Sequence, residues 1–171
     1  RVPTPWERSR LETGPLPEVE TPLGQAYENG MVLAGYTLPD TVLRLDAELR
    51  VDLLWVAERV AESNLRTTVL LRGPDGSIWS PAGTARPRGY EPTPPTNTWQ
   101  PGAYAYDAHM VSALPGTPPG TYEVVVSIFD ADSLAPVSLV DDNGAVVGQD
   151  LPLGWIDLVC PEAGCVGSSV V

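Results

Sequence analysis

The sequence predicts an all-β domain, an antiparallel β-sandwich of seven to eight strands preceded by an N-terminal extended arm. Three observations predict it. Nineteen prolines and sixteen glycines are concentrated between apolar runs, the punctuation of short strands and not of long helices. Within the runs, apolar and polar residues alternate at period two, which turns one strand face to a core and the other to water. Turn dipeptides, with Asn143-Gly144 the clearest, separate the runs.

Taken in order, residues 1–30 read as a Pro-rich arm. Pro3, Pro5, Pro15, Pro17 and Pro22 exclude a regular helix, acidic residues keep the segment solvated, and Trp6 is its one large apolar anchor. The sandwich is expected over 31–159. Met31 to Leu38 is a short apolar strand stopped by Pro39-Asp40. In residues 48–55, Leu49, Val51, Leu53 and Trp55 alternate with Glu48, Arg50 and Asp52, which predicts a half-buried strand. A helix from Asp46 to Asn64 is the rival reading, because the residues are good helix formers and Leu45, Leu49, Leu53 and Val60 fall near one helical face. Thr67–Arg72, Gly73-Pro74-Asp75-Gly76 and Ser77–Ser80 read as strand, turn and strand. Pro81 to Thr98 is a long polar loop, a length that is either functional or pinned across a surface. Tyr104–Val111 forms a strand with Tyr104, Tyr106, Ala108 and Met110 on one face. Thr121–Asp130 is the clearest strand, with Tyr122, Val124, Val126 and Ile128 pointing one way. Asp141-Asp142-Asn143-Gly144 predicts a tight hairpin, and Gly154–Val159 closes the domain. This succession fits an immunoglobulin-like sandwich, with 160–171 left as a tail.

Composition narrows the function classes. Ten Lys and Arg stand against 22 Asp and Glu, a formal charge of -12, and no basic stripe breaks the acidity. Such a chain repels phosphate backbones, so nucleic acid is excluded as a partner. An acidic surface weakly favours cationic partners or divalent ions. No apolar run approaches the ~20 residues of a membrane span. Arg1 opens directly into a Pro-rich polar stretch with no signal-peptide pattern, as expected where a leader has been removed or the chain is a piece of a longer protein. The two cysteines, Cys160 and Cys165, lack CxxC spacing and a second pair, which speaks against structural zinc. A small disulfide loop is expected, and with it an oxidising compartment.

The order of the motifs carries a resemblance. Leu33-Ala34-Gly35-Tyr36 precedes Leu49-Arg50-Val51-Asp52-Leu53-Leu54-Trp55. Gly73-Pro74-Asp75-Gly76, Trp99-Gln100-Pro101-Gly102, Pro118-Pro119-Gly120-Thr121-Tyr122, Phe129-Asp130 and the Asp142-Asn143-Gly144 turn follow. Over about 31–159 this resembles a β-sandwich module at the C-terminal end of bacterial polytopic membrane glycosyltransferases of the protein-mannosyltransferase-like type, found also in other envelope proteins. The resemblance implies a strand over Leu49–Trp55 and an extracytoplasmic location, and no catalytic residues are carried over from it. The Pro- and Arg-rich loop from Pro81 to Thr98 departs from it.

The chemistry available is sparse. His109 is the one histidine, so no multi-histidine metal site can be built, and any triad would have to use it. It sits in a predicted strand, where a structural histidine is expected. Asp and Glu lie mostly at strand edges and turns, not as a pair in a cleft. Asp130, Asp132, Asp141 and Asp142 are candidate calcium ligands, with the competing explanation that Asp and Asn populate turns by bonding their own backbone. A ligand site, if present, is expected at Trp79, Arg86, Arg88, Tyr90, Trp99 and Tyr104. These join the long loop to an aromatic and locally basic island. No cofactor is expected. The reading is therefore a non-catalytic extracytoplasmic module for interaction, assembly or spacing, partnered by another protein or a parent membrane protein. A carbohydrate-binding accessory module is the alternative.

Overall fold

The computed structural model describes residues 11–38, 40–81, 94–162, 164 and 165. Ten strands follow one another: β1 (Thr21–Tyr27), β2 (Met31–Thr37), β3 (Val42–Arg44), β4 (Glu48–Ala57), β5 (Leu65–Arg72), β6 (Tyr104–Ser112), β7 (Gly120–Asp130), β8 (Leu139–Val140), β9 (Val146–Gly148) and β10 (Leu151–Val159). A 3-10 turn spans Thr96–Thr98. Among the described residues there is no α-helix, and so none long and apolar enough to cross a membrane.

The strands form two sheets, ordered β6-β4-β2-β1-β8-β9 and β3-β10-β7-β5. This is the all-β sandwich that the sequence predicts, with three differences. The count is ten because β3, β8 and β9 are only two or three residues long, too short to show alternation. One pairing, β3 with β10, is parallel. The sheet also begins earlier than the expected arm allows, since Thr21–Tyr27 is a strand between β2 and β8. Pro22 is tolerated there because the register with β2 shifts between Pro22 and Gln25, with Gly24 at φ +73 supplying the bulge. Opposite it, β2 shifts register at Gly35, where an added Cβ would come within 2.7 Å of the Thr21 carbonyl.

Residues 48–57 are strand, so the rival helix is excluded. Leu49, Val51, Leu53 and Trp55 are all buried, and they share one core with Val69, Leu71, Val124, Val126 and Ile128 of the facing sheet. Leu54 is buried on the opposite face, so alternation understates how far β4 is enclosed. The Asp141–Gly144 hairpin forms as expected between β8 and β9, closed by Asp141 N–H to the Ala145 carbonyl at 2.9 Å. The turn at 73–76 also forms, but its return limb makes a single bridge, Arg72 with Ile78. The ladder stops there because the Ser80 hydroxyl takes the Leu71 N–H and Pro81 has no N–H to offer.

In β6 the expected set of Tyr104, Tyr106, Ala108 and Met110 does share a face, but it is the face turned away from the second sheet. Met110 is exposed, while Ala105 and Val111 belong to the core. The inward face of β6 therefore carries Asp107 and His109 between two apolar residues. Cys160 and Cys165 are joined by a disulfide immediately after β10.

Two stability measurements follow from this packing. Leu53 is fully buried, and Leu53→Ala should cost about 2–5 kcal/mol in denaturant unfolding. A loss within about 0.5 kcal/mol, the surface-substitution range, would place Leu53 outside the core. Tyr27 packs its ring 5.5 Å from that of Trp55, yet its hydroxyl is buried without a hydrogen-bond partner among the described residues. Burial, and secondarily the charge of Asp150, pushes its pKa well above the ordinary tyrosine range. Removing an unpaired hydroxyl relieves a desolvation cost, so Tyr27→Phe should raise stability by about 1 kcal/mol. A clear loss of stability in Tyr27→Phe would contradict the orphaned hydroxyl.

Candidate functional site

The inward polar residues of β6 define the site. β6 is the edge of the larger sheet and β5 the edge of the smaller, and the two edges face each other across the sandwich. Strand alternation turns Asp107 and His109 inward from β6, Thr67 inward from β5 and Trp55 inward from β4. These four side chains meet. Trp55 Nε1–H donates to Asp107 Oδ2 at 3.2 Å, and the Thr67 hydroxyl donates to the same oxygen. His109 Nε2 lies 2.8 Å from that oxygen and 3.0 Å from Thr67 Oγ1. With its proton on Nε2, the imidazole is the third donor to Oδ2. His109 is only 4% exposed. The arrangement is a closed triangle and not a relay. In a nucleophile–base–acid triad the imidazole uses one nitrogen for the hydroxyl and the other for the carboxylate. Here a single nitrogen faces both, and the hydroxyl already donates its proton in a hydrogen bond to the carboxylate.

Beside this cluster a cavity of about 370 Å³ opens between the sheets. Trp55, Leu65 and Ile128 form its apolar depth, Pro94 and Trp99 form a wall, and Asp107 with Thr67 provides a polar pole. The wall is held by local hydrogen bonds. Thr96 N–H donates to Asn64 Oδ1 at 3.1 Å, and Thr96 Oγ1 accepts from Leu65 N–H at 2.8 Å. Trp99 Nε1–H donates to the Pro94 carbonyl at 2.8 Å. An apolar interior with a few convergent polar groups is the usual composition of a small-ligand site, and the volume falls within the usual range.

The residues expected from sequence are distributed unevenly around this cavity. Trp99 lines it, together with Pro94, Pro95 and Thr96 from the end of the long loop. Trp79 does not; it packs over the turn at Gly73 and donates its backbone N–H to the Leu71 carbonyl. Tyr104 is on the outward face of β6, its hydroxyl bonded to Glu12 Oε2 at 3.1 Å. Arg86, Arg88 and Tyr90 lie outside the described residues. Asp107 and Thr67 were not singled out by sequence reasoning. The one available signal was an acidic residue and the sole histidine on the same parity of a strand flanked by Ala105 and Val111.

The four candidate calcium ligands fall on two separate turns and are not brought together. Asp130 Oδ1 accepts the N–H groups of Asp132 and Ser133, each at 2.8 Å. Asp141 Oδ1 accepts those of Asn143 and Ala145, each at 2.9 Å. Among the described residues no group of three or more His, Cys, Asp or Glu is placed to hold a metal ion. Both turn carboxylates are occupied in the way short acidic side chains favour turns.

An all-β two-sheet sandwich with an interlayer cavity is what the fold and the site define. No protein-family model matches the chain, and no curated protein is significantly similar to it.

The turn at Asp130 gives a pH prediction. Its carboxyl is held at about 2, first by the Ser63 hydroxyl and then by the Ser133 and Asp132 N–H groups. A depressed folded-state pKa gives stability that is present above the ordinary carboxylate value of about 3.9 and lost as pH falls towards 2. The difference in melting temperature between wild type and Asp130→Ala should therefore be constant above pH 5 and shrink between pH 4 and 2 (roughly the span of the two pKa values). A difference unchanged down to pH 2 would remove Asp130 from the acid transition.

Proposed function

We propose that this chain is a non-catalytic extracytoplasmic interaction module of a cell-envelope or surface protein, and that its partner seats a small group in the interlayer cavity. The cavity between β5 and β6 carries this reading. Its walls are fixed by side-chain hydrogen bonds from Thr96 and Trp99, so little ordering entropy is lost on binding. The cluster at its polar pole supports a binding role over a catalytic one, because Asp107 Oδ2 is committed to Trp55, Thr67 and His109. A disulfide close behind β10 and the resemblance to envelope modules support the extracytoplasmic setting. The carbohydrate-binding alternative draws on a different surface, the outer face of the smaller sheet, where Trp155 is exposed.

A neutral fluorescent probe, N-phenyl-1-naphthylamine, tests the cavity. It should bind the native protein at one saturable site and quench tryptophan emission from Trp55 and Trp99. Ala105→Leu, which places a larger side chain in the cavity wall, should weaken binding at least ~10-fold while leaving a cooperative unfolding transition. No saturable binding to the native protein, or equal binding by Ala105→Leu, would overturn the reading.

A further inference from the structure

The smaller sheet leaves one large aromatic side chain in water. Trp155 on β10 is 57% exposed, whereas Trp55 and Trp99 are each 3% exposed. Its setting is not a loop tip. β10 is an inner strand: Trp155 pairs with Glu123 of β7, and the pairing with β3 begins two residues on, at Asp157, so the indole stands on a sheet surface. Ile156 and Leu158 point into the core from this strand, and Trp155, Asp157 and Val159 point outward.

The indole's neighbours on that face are polar and already ordered. Glu123 is its cross-strand partner on β7, and Arg72 on β5 forms an ion pair with Glu123 Oε1. Arg72 also lies 3.6 Å from Asp150. Two residues along β10, the Thr121 hydroxyl donates to Asp157 Oδ1 at 2.7 Å. Val42, on the edge strand β3, pairs with Asp157 in register and is exposed.

We propose that Trp155 is the stacking platform of a site for an uncharged oligosaccharide, with Glu123, Asp157 and Thr121 bonding the hydroxyls of the ring that covers the indole. The proposal rests on the carbohydrate-binding reading and places its site. A pyranose presents C–H groups on its faces and hydroxyls at its rim, so it needs an aromatic plane bordered by acceptors and donors. Both bonds from Arg72 fall on Glu123 Oε1 and the bond from Thr121 on Asp157 Oδ1, so the existing pairs orient the two carboxylates and leave lone pairs on their other oxygens. A protein partner fits this face less well, because interface cores are depleted in Asp and Glu and here the indole is bordered by both. Charge decides the class of sugar. Carboxylates beside the indole, on a chain of net charge -12, repel uronate, sulfate and phosphate groups.

The experiment is a tryptophan-fluorescence and calorimetric titration with cello-, xylo-, manno- and chito-oligosaccharides, with oligogalacturonate as the anionic control. At least one neutral series should bind and shift the emission to the blue, and oligogalacturonate should not bind. Trp155→Ala should weaken that binding by ~10-fold or more, Trp155→Phe should retain part of it, and both should melt close to wild type. If the native protein binds none of the neutral sugars, the carbohydrate-binding reading fails with the site. Should it bind one and Trp155→Ala bind it equally well, the reading stands and the site at Trp155 is overturned. Preferential binding of oligogalacturonate would overturn the assigned class.

Discussion

One carboxylate oxygen ties the open side of this sandwich together. Asp107 Oδ2 receives Trp55 from β4, Thr67 from β5 and His109 from its own strand, and Thr67 belongs to the opposite sheet. Apolar packing between sheets is non-directional and tolerates sliding. A hydrogen-bonded cluster of fixed geometry does not, so the position of β5 over β6 is set here. The cavity depends on it, because Asp107 and Thr67 are its polar pole and Trp55 its floor. Withdrawing a carboxylate from water is costly unless its lone pairs are satisfied, and the donors on Oδ2 offset that cost for the partly buried Asp107.

The same side of the molecule shows how a sandwich with open edges protects them. On β5, the Leu65 N–H is taken by Thr96 Oγ1 at one end and the Leu71 N–H by Ser80 Oγ at the other. On β6, Glu12 and Tyr104 exchange backbone hydrogen bonds at 2.9 and 2.8 Å. Side chains and a single bridging residue thus satisfy groups that would otherwise invite a foreign strand. At the far edge of the larger sheet β9 is left with Val146 and Val147 exposed, and there protection comes from brevity, since the strand is three residues long.

What was legible in the sequence follows from which physical signals are local. Leu49, Val51, Leu53 and Trp55 announced a strand because burial on one face imposes period two. Asn143-Gly144 announced a hairpin because φ at Gly144 is +80. β1 was hidden because Pro22 and Gly24 read as arm residues, and only pairing with β2 and β8 shows that they form a bulge. The inward face of β6 was hidden for a similar reason: Tyr104, Tyr106 and Met110 outweigh Ala105 and Val111 in hydrophobicity. The residue that reverses that choice, Thr67, is about forty positions away along the chain. Trp99 was found through the long loop, whereas Asp107 became visible as a site residue only through its partners. Clusters assembled from three strands leave little trace in any one of them.

The central claim, that Asp107 couples the two sheets, is tested most directly by a double-mutant cycle between Thr67→Val and Asp107→Ala, read by denaturant unfolding. Each single change removes the cross-sheet bond, and the penalties of orphaning Trp55 and His109 cancel in the cycle. A coupling energy of about 1–3 kcal/mol is expected between the two positions. Additivity within about 0.5 kcal/mol would show that the sheets are held by apolar packing alone and would contradict it.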